Sequence, residues 1–181
     1  MHFKPTRIKG LIEIVPRLFE DERGIFFESY QQKAFAEHGI PFGFVQDNQS
    51  FSHKGVLRGL HFQRAPYSQG KLVRVIAGKV LDVAVDLRPE SPTFGEYELF
   101  VLDVRQHNMV YVPEGFAHGF LALEDTVLQY KCTNYYHKAS EGGVHWKDPQ
   151  LNILWGIEQP IVSEKDQILP VLEQLLAEKQ L

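Results

Sequence analysis

From residue 44 to residue 128 the chain reads almost without interruption as short β-strands divided by turns. Few folds accommodate so many short strands at regular spacing with so little helix; a jelly roll or a β-sandwich does. Residues 72–76 and 80–87 flank Ala77-Gly78-Lys79, a hairpin signal. Along the second of these strands Leu81, Val83, Val85 and Leu87 form a wholly apolar set, against the mixed set Val80, Asp82, Ala84 and Asp86. That alternation points Asp82 into a barrel mouth rather than into bulk water. Further strands are expected at 97–104, 109–112, 119–123 and 126–133. Upstream, 11–15 reads as a strand stopped by Pro16, Asp21-Glu22-Arg23-Gly24 as a turn and 25–30 as a second strand. Residues 31–38 have helix-forming composition and end at Gly39, and 170–179 reads as a helix with Pro170 at its first position. No repeat or linker divides the chain, so residues 1–181 are expected to form a single all-β domain with short flanking helices.

Composition narrows the function. A chain of 181 residues that is 44% hydrophobic can bury a real core. A net charge of −4 argues against general binding to nucleic acid or to an anionic membrane. A local cluster of Arg and Lys can still take an anionic small molecule. The lone cysteine, Cys132, allows no internal disulfide and suits a reducing compartment. The N-terminus carries no apolar stretch of signal-peptide length, and no run reaches the ~18 apolar residues of a membrane span. A cytoplasmic protein is expected.

Two histidines stand in informative surroundings. His118 ends Pro113-Glu114-Gly115-Phe116-Ala117-His118, and His61 lies in Arg58-Gly59-Leu60-His61-Phe62-Gln63. The P-x-G-x-x-H run resembles the second signature of the cupin jelly roll, a double-stranded β-helix. The first cupin signature supplies H-x-H and then a Glu, which hold a metal. Here Gln63 replaces the second His and no Glu follows at the expected spacing, so no metal is expected. This combination points to acid–base chemistry by side chains alone, and it weighs against a metal-dependent cupin oxygenase.

His61 is the candidate base, since histidine titrates near neutral pH. Such a base needs an orienting partner, for which Asp166 and Asp82 are the two candidates. Ser163-Glu164-Lys165-Asp166 also has capping-box spacing, although Pro170 follows closely enough to interrupt a helix begun there. Lys71 opens a strand, where a surface charge is its commonest role; in a barrel mouth it can instead stabilise an enolate oxygen. Tyr130 lies mid-strand, where packing is the default, yet a phenol aimed into a cavity is a competent proton donor. Arg23, Arg58 and Lys165 can meet a pyrophosphate. A non-catalytic sugar-binding module would not explain why base, acid, lysine and phenol occur together.

Taken together, several stretches resemble the dTDP-4-dehydrorhamnose 3,5-epimerase family. They are Phe19-Glu20-Asp21-Glu22-Arg23-Gly24-Ile25-Phe26-Phe27-Glu28, Phe44-Val45-Gln46-Asp47-Asn48-Gln49-Ser50, Gly55 through Gln63, Gly70-Lys71-Leu72-Val73-Arg74-Val75, Pro113 through Phe120, Tyr130-Lys131-Cys132-Thr133, Trp146-Lys147-Asp148-Pro149 and Ser163 through Asp166. The resemblance implies a metal-free, cofactor-free cupin-type homodimer with strand exchange. Its substrate would be dTDP-4-dehydro-6-deoxyglucose, inverted at carbons 3 and 5 on the route to dTDP-L-rhamnose. By the same resemblance His61 is the proton acceptor, Asp166 holds its imidazole, Tyr130 is the donor on the opposite face and Lys71 faces the 4-keto oxygen. Arg58 and His118 would line the sugar pocket. Arg23, Phe26 and Glu28 would reach the nucleotide from the partner subunit, together with Gln46, Asp47, Asn48, Glu141 and Lys165. The alternative is a sister enzyme that epimerises one carbon only, or isomerises a related dTDP-keto sugar. Tyr135 and Tyr136 remain open as donors.

Overall fold

The structure is a computed structural model that describes residues 1–40, 43–179 and 181. Its first strands are β1 (His2–Pro5), β2 (Ile12–Val15), β3 (Phe19–Asp21) and β4 (Gly24–Phe26), followed by helix α1 (Gln32–Glu37). The long β region then supplies β5 (Gln46–Ser52), β6 (Val56–Gln63), β7 (Lys71–Ala77), β8 (Lys79–Asp86), β9 (Tyr97–Asp103), β10 (Met109–Val112), β11 (Phe116–Ala122) and β12 (Thr126–Cys132). After a 3₁₀ turn come β13 (Glu141–Gly143), β14 (Ile161–Val162), α2 (Glu164–Gln167) and α3 (Leu172–Ala177).

Two sheets face each other. One runs β1-β2-β10-β7-β12-β5; the other runs β13-β6-β11-β8-β9, with β14 added parallel to β6. The chain thus has the cupin-like jelly roll expected from its strand spacing. The β3–β4 hairpin stands apart as a two-stranded sheet.

The core lies in three layers. Between the sheets, Val73 and Val75 meet Val80, Ala84, Phe100, Phe116 and Phe120. Behind the second sheet, Val83, Val85 and Leu87 are covered by the C-terminal segment through Val144, Leu151, Trp155, Leu172 and Leu175. Phe35 of α1 and Ile40 close the outer face of the first sheet over Ile12, Ile14 and Met109. Strand β8 is therefore buried on both faces, which explains why Val80 and Ala84 on one side are as apolar as Val83 and Val85 on the other. Each such Val or Leu contributes about 1.5–3 kcal/mol relative to an exposed side chain.

Several boundaries differ from expectation. The strand expected over 25–30 stops at Phe26, because it pairs only with three-residue β3. Strand β11 begins at Phe116, so His118 lies within a strand. Pro170 is not at a helix start: Val171 is the N-cap of α3, its N–H donating to Gln174 Oε1 at 3.0 Å. The short β1, β3, β13 and β14 were not expected. Each takes its hydrogen bonds from a neighbouring strand, and their few residues carry no periodicity of their own.

Strands β6 and β11 set the site. His61 and His118 are direct cross-strand partners, and the register shifts between His118 and Phe120. A β-bulge of this kind re-aims side chains. It depends on two glycines: a Cβ on Gly59 (φ +126°) would sit 2.6 Å from Gly119 Cα, and one on Gly119 would sit 2.6 Å from the Arg58 carbonyl oxygen. The two backbones approach as closely as they do because neither carries a side chain.

Candidate active site

A cavity of about 680 Å³ opens between the sheets. His61 and His118 reach it from β6 and β11, and Asn48, Lys71 and Tyr130 from the opposing β5, β7 and β12. Arg58, Lys165 and Asp166 complete the set of expected residues on its wall. Residues separated by up to 118 positions (Asn48 to Asp166) thus converge on one space.

His61 Nε2 donates to Asp166 Oδ1 at 2.7 Å. The other oxygen, Oδ2, accepts the Gly59 N–H at 3.1 Å, so the glycine of the bulge also fixes the carboxylate. Asp166 is 4% exposed. Burial alone would raise its pKa. The hydrogen bond and charge of His61, the Gly59 N–H and Lys165 outweigh burial and hold the carboxyl below its usual value. With Nε2 committed to a carboxylate, Nδ1 is the imidazole atom free to accept a proton. The capping spacing is also realised: the Asp166 N–H donates to Ser163 Oγ at 3.1 Å, starting α2. One turn of helix therefore aims Asp166 at His61, and the two readings of that segment are compatible. The helix ends at Gln167, before Pro170 can interrupt it.

Asp82 is the partner of His118, not of His61. It is fully buried, facing between the sheets, and its Oδ2 accepts from His118 Nε2 at 2.8 Å. The alternation of β8 read its inward direction correctly, but nothing in the sequence ties Asp82 to one histidine over the other.

Lys71 Nζ is 3.5 Å from the His61 carbonyl oxygen and 5.9 Å from the Tyr130 ring centroid. Burial draws the Lys71 pKa down, against Cys132, Asp82 and Glu141, which raise it. Tyr130 is shifted the other way. Burial raises its phenol pKa, reinforced by Cys132, while Asn48 and Arg58 oppose the rise. A phenol held protonated is in the right state to donate. Neither Tyr135 nor Tyr136 lines the cavity; both are exposed, and the Tyr136 hydroxyl donates to Glu141 Oε2 at 3.0 Å.

At the mouth Lys165 pairs with Glu141 at 2.6 Å. Arg58 is held by Ser52 Oγ at 3.0 Å and the Phe51 carbonyl at 3.1 Å. Ser52 is a positioning residue that the sequence did not suggest; its one signal is a hydroxyl where β5 becomes buried. Ile161 and Val162, which also line the cavity, had no signal beyond being apolar. Gln46 hydrogen bonds Asn48 and the Tyr136 N–H. Asp47 lies on the exposed side of β5, paired with Lys131 at 2.9 Å, outside this cavity. Arg23 and Phe26 sit on the β3–β4 hairpin, with Phe26 67% exposed, and neither they nor Glu28 line the cavity. Among the described residues no three His, Cys, Asp or Glu side chains are grouped to hold a metal ion. No helix among the described residues is long and apolar enough to cross a membrane.

Comparison with known proteins agrees with this architecture. Residues 5–174 match the family model described as dTDP-4-dehydrorhamnose 3,5-epimerase. A relative of that name from Salmonella typhimurium is 49% identical over 174 residues, covering 94% of this chain and 95% of its own. The crystal structure of the enzyme of that name from Elizabethkingia anophelis is 47% identical, with a TM-score of 0.93 and coverage of 96% and 97% of the two chains. The dTDP-6-deoxy-D-glucose-3,5-epimerase of Legionella pneumophila, solved in complex with dTDP-4-keto-L-rhamnose, is also 47% identical. Its TM-score is 0.92, and the match covers 98% of this chain and 95% of that one.

Proposed function

The chain belongs to the dTDP-4-dehydrorhamnose 3,5-epimerase family, and from that premise we propose how its own residues carry out the isomerisation. The substrate is dTDP-4-dehydro-6-deoxyglucose, and the product is its epimer at carbons 3 and 5, dTDP-4-dehydro-L-rhamnose. Both carbons flank the 4-keto group, so removing either proton gives an enolate whose charge gathers on one oxygen.

The observation that carries the reading is the His61–Asp166 pair at 2.7 Å on one sheet, opposed by Tyr130 on the other. A sugar ring between the sheets has one face toward a base and the other toward an acid. His61 Nδ1 takes the proton, Asp166 stabilises the imidazolium, and Tyr130 delivers a proton to the far face. Lys71 serves the ketone oxygen in both steps, and such fixed charge is often the largest catalytic term. Arg58 and His118 hold the sugar. Lys165 and Arg58 take the pyrophosphate, with Gln46, Asn48 and Glu141 at the mouth. These remote contacts seat the ring before chemistry begins.

No step in this scheme needs a metal or a cofactor. Protein exhaustively treated with chelator should convert the substrate at the untreated rate, followed by NMR of the product sugar. Loss of turnover, restored by one divalent ion, would overturn the scheme.

Arg23, Phe26 and Glu28 are assigned to the partner's nucleotide site in a strand-exchanged homodimer. The hairpin supports this by exposing Phe19 (50%), Ile25 (48%) and Phe26 (67%) together, a patch that a second subunit would cover. Asp47, on the outer side of β5, fits the same arrangement. Sedimentation at micromolar concentration should give a dimer, and Phe26→Asp should shift it to monomer with loss of activity. A fully active monomer would refute the exchange.

A further inference from the structure

Lys71 is a half-buried cation with few fixed partners among the described residues. Its one hydrogen-bond contact among the described residues is the long one to the His61 carbonyl, at 3.5 Å. Burial works against its charge, and three groups work for it: Cys132, Asp82 and Glu141. The Cys132 thiol is itself pushed up by burial, which keeps it neutral. Glu141 is already committed to Lys165 at 2.6 Å and to the Tyr136 hydroxyl at 3.0 Å. The remaining groups around the ammonium are Tyr130, whose phenol stays protonated, and His61 and His118, each bonded to its own aspartate.

Asp82 differs from all of these. It is 0% exposed and gives one oxygen to His118, while its Oδ1 has no hydrogen-bond partner among the described residues. A buried carboxylate oxygen left without a donor is costly unless a nearby charge compensates it. Asp82 on β8 and Lys71 on β7 belong to opposing sheets, and both reach the same cross-strand histidine pair: Lys71 at the His61 carbonyl and Asp82 at His118.

We propose that Asp82 is a positioning residue for the reaction: its carboxylate is the counter-charge that keeps Lys71 an ammonium in the cleft, while its second oxygen fixes His118 with the proton on Nε2. This rests on the reading of Lys71 as the partner of the enolate oxygen. A neutral amine at Lys71 could offer that oxygen a weak hydrogen bond but no charge. That counter-charge balances the cation inside the cleft, so the negative charge of the enolate arrives beside a cation already in place.

The test is Asp82→Asn, which keeps an oxygen for His118 and removes only the charge. In substrate-free protein, the ¹³Cε signal of Lys71 should titrate at lower pH in the variant than in the parent. With Lys71 as the cation that the enolate needs, the alkaline limb of kcat should move to lower pH together with the Lys71 titration. At neutral pH kcat should fall about tenfold with KM nearly unchanged, the pattern of an interaction made in the transition state. Identical Lys71 titrations in parent and variant would overturn the proposal. A Lys71 titration that moves while the kcat limb stays fixed would uphold the counter-charge and instead remove Lys71 from the enolate oxygen. Should Asp82→Asn fail to fold, the ¹³C carboxyl shift of Asp82 in the parent decides: a carboxylate at neutral pH supports the pair, and a protonated acid there overturns it.

Discussion

Replacing His61 by asparagine is expected to slow solvent exchange at both sugar carbons by about 10²–10⁴-fold, the range that one positioned general base supplies. Asparagine retains a side chain able to bond Asp166, so the fold and substrate affinity should survive while the basic Nδ1 is lost. Asp166→Asn in the parent background should be damaging too. Asp166 holds the imidazole at 2.7 Å, and an amide in its place would no longer stabilise the imidazolium. Adding Asp166→Asn to His61→Asn should cost little further, because members of one catalytic unit fail together. NMR exchange rates in deuterated water measure all three variants. Near-parental exchange in His61→Asn would remove it from the role of base.

The second large effect belongs to Tyr130→Phe, and it differs in kind. The ring is retained, so packing against the core between the sheets is preserved. If the phenol is the acid, His61 still removes protons without it, and the enolate is reprotonated mostly from its original face. Deuterium should then enter the sugar while its configuration stays largely unchanged. The ratio of exchange to inversion should rise by about 10²-fold or more, the size of a single acid contribution. A ratio equal to the parent's would move the donor role elsewhere. Tyr135 and Tyr136 are poor successors, since both lie outside the cavity and the Tyr136 hydroxyl is bonded to Glu141.

How far the sequence alone reaches is clearest at particular residues. The strands from β6 to β12 were legible because each has one face or both in a core, and burial writes a period of two or a continuous apolar run. The inward direction of Asp82 followed from the same alternation. Its partner did not, because it follows from strand order: β11, with His118, lies beside β8, whereas β6, with His61, lies beside β14, which leads into Asp166. Asp166 was identified by its motif, but capping and orienting looked like competing roles. Ser163 bonds the Asp166 backbone and His61 bonds its side chain, so one residue does both. Pro170 misled because proline fits the first turn of a helix; here it stands one residue before the N-cap. The residues expected to meet the nucleotide divide by geometry. Arg58, Asn48 and Lys165 reach the cavity, whereas Arg23, Phe26, Glu28 and Asp47 do not. Their assigned role depends on a second copy of the chain, and a motif read along one chain does not distinguish a residue that acts in its own subunit from one lent to a neighbour.

The central claim is that one metal-free base and one cation serve two carbons flanking a ketone. It is tested most directly by incubating chelator-treated protein with dTDP-4-dehydro-6-deoxyglucose in deuterated water and following the sugar by NMR. The expected result is deuterium at both carbon 3 and carbon 5, with inversion at each. Deuterium at a single carbon, with the other proton retained throughout, would contradict it.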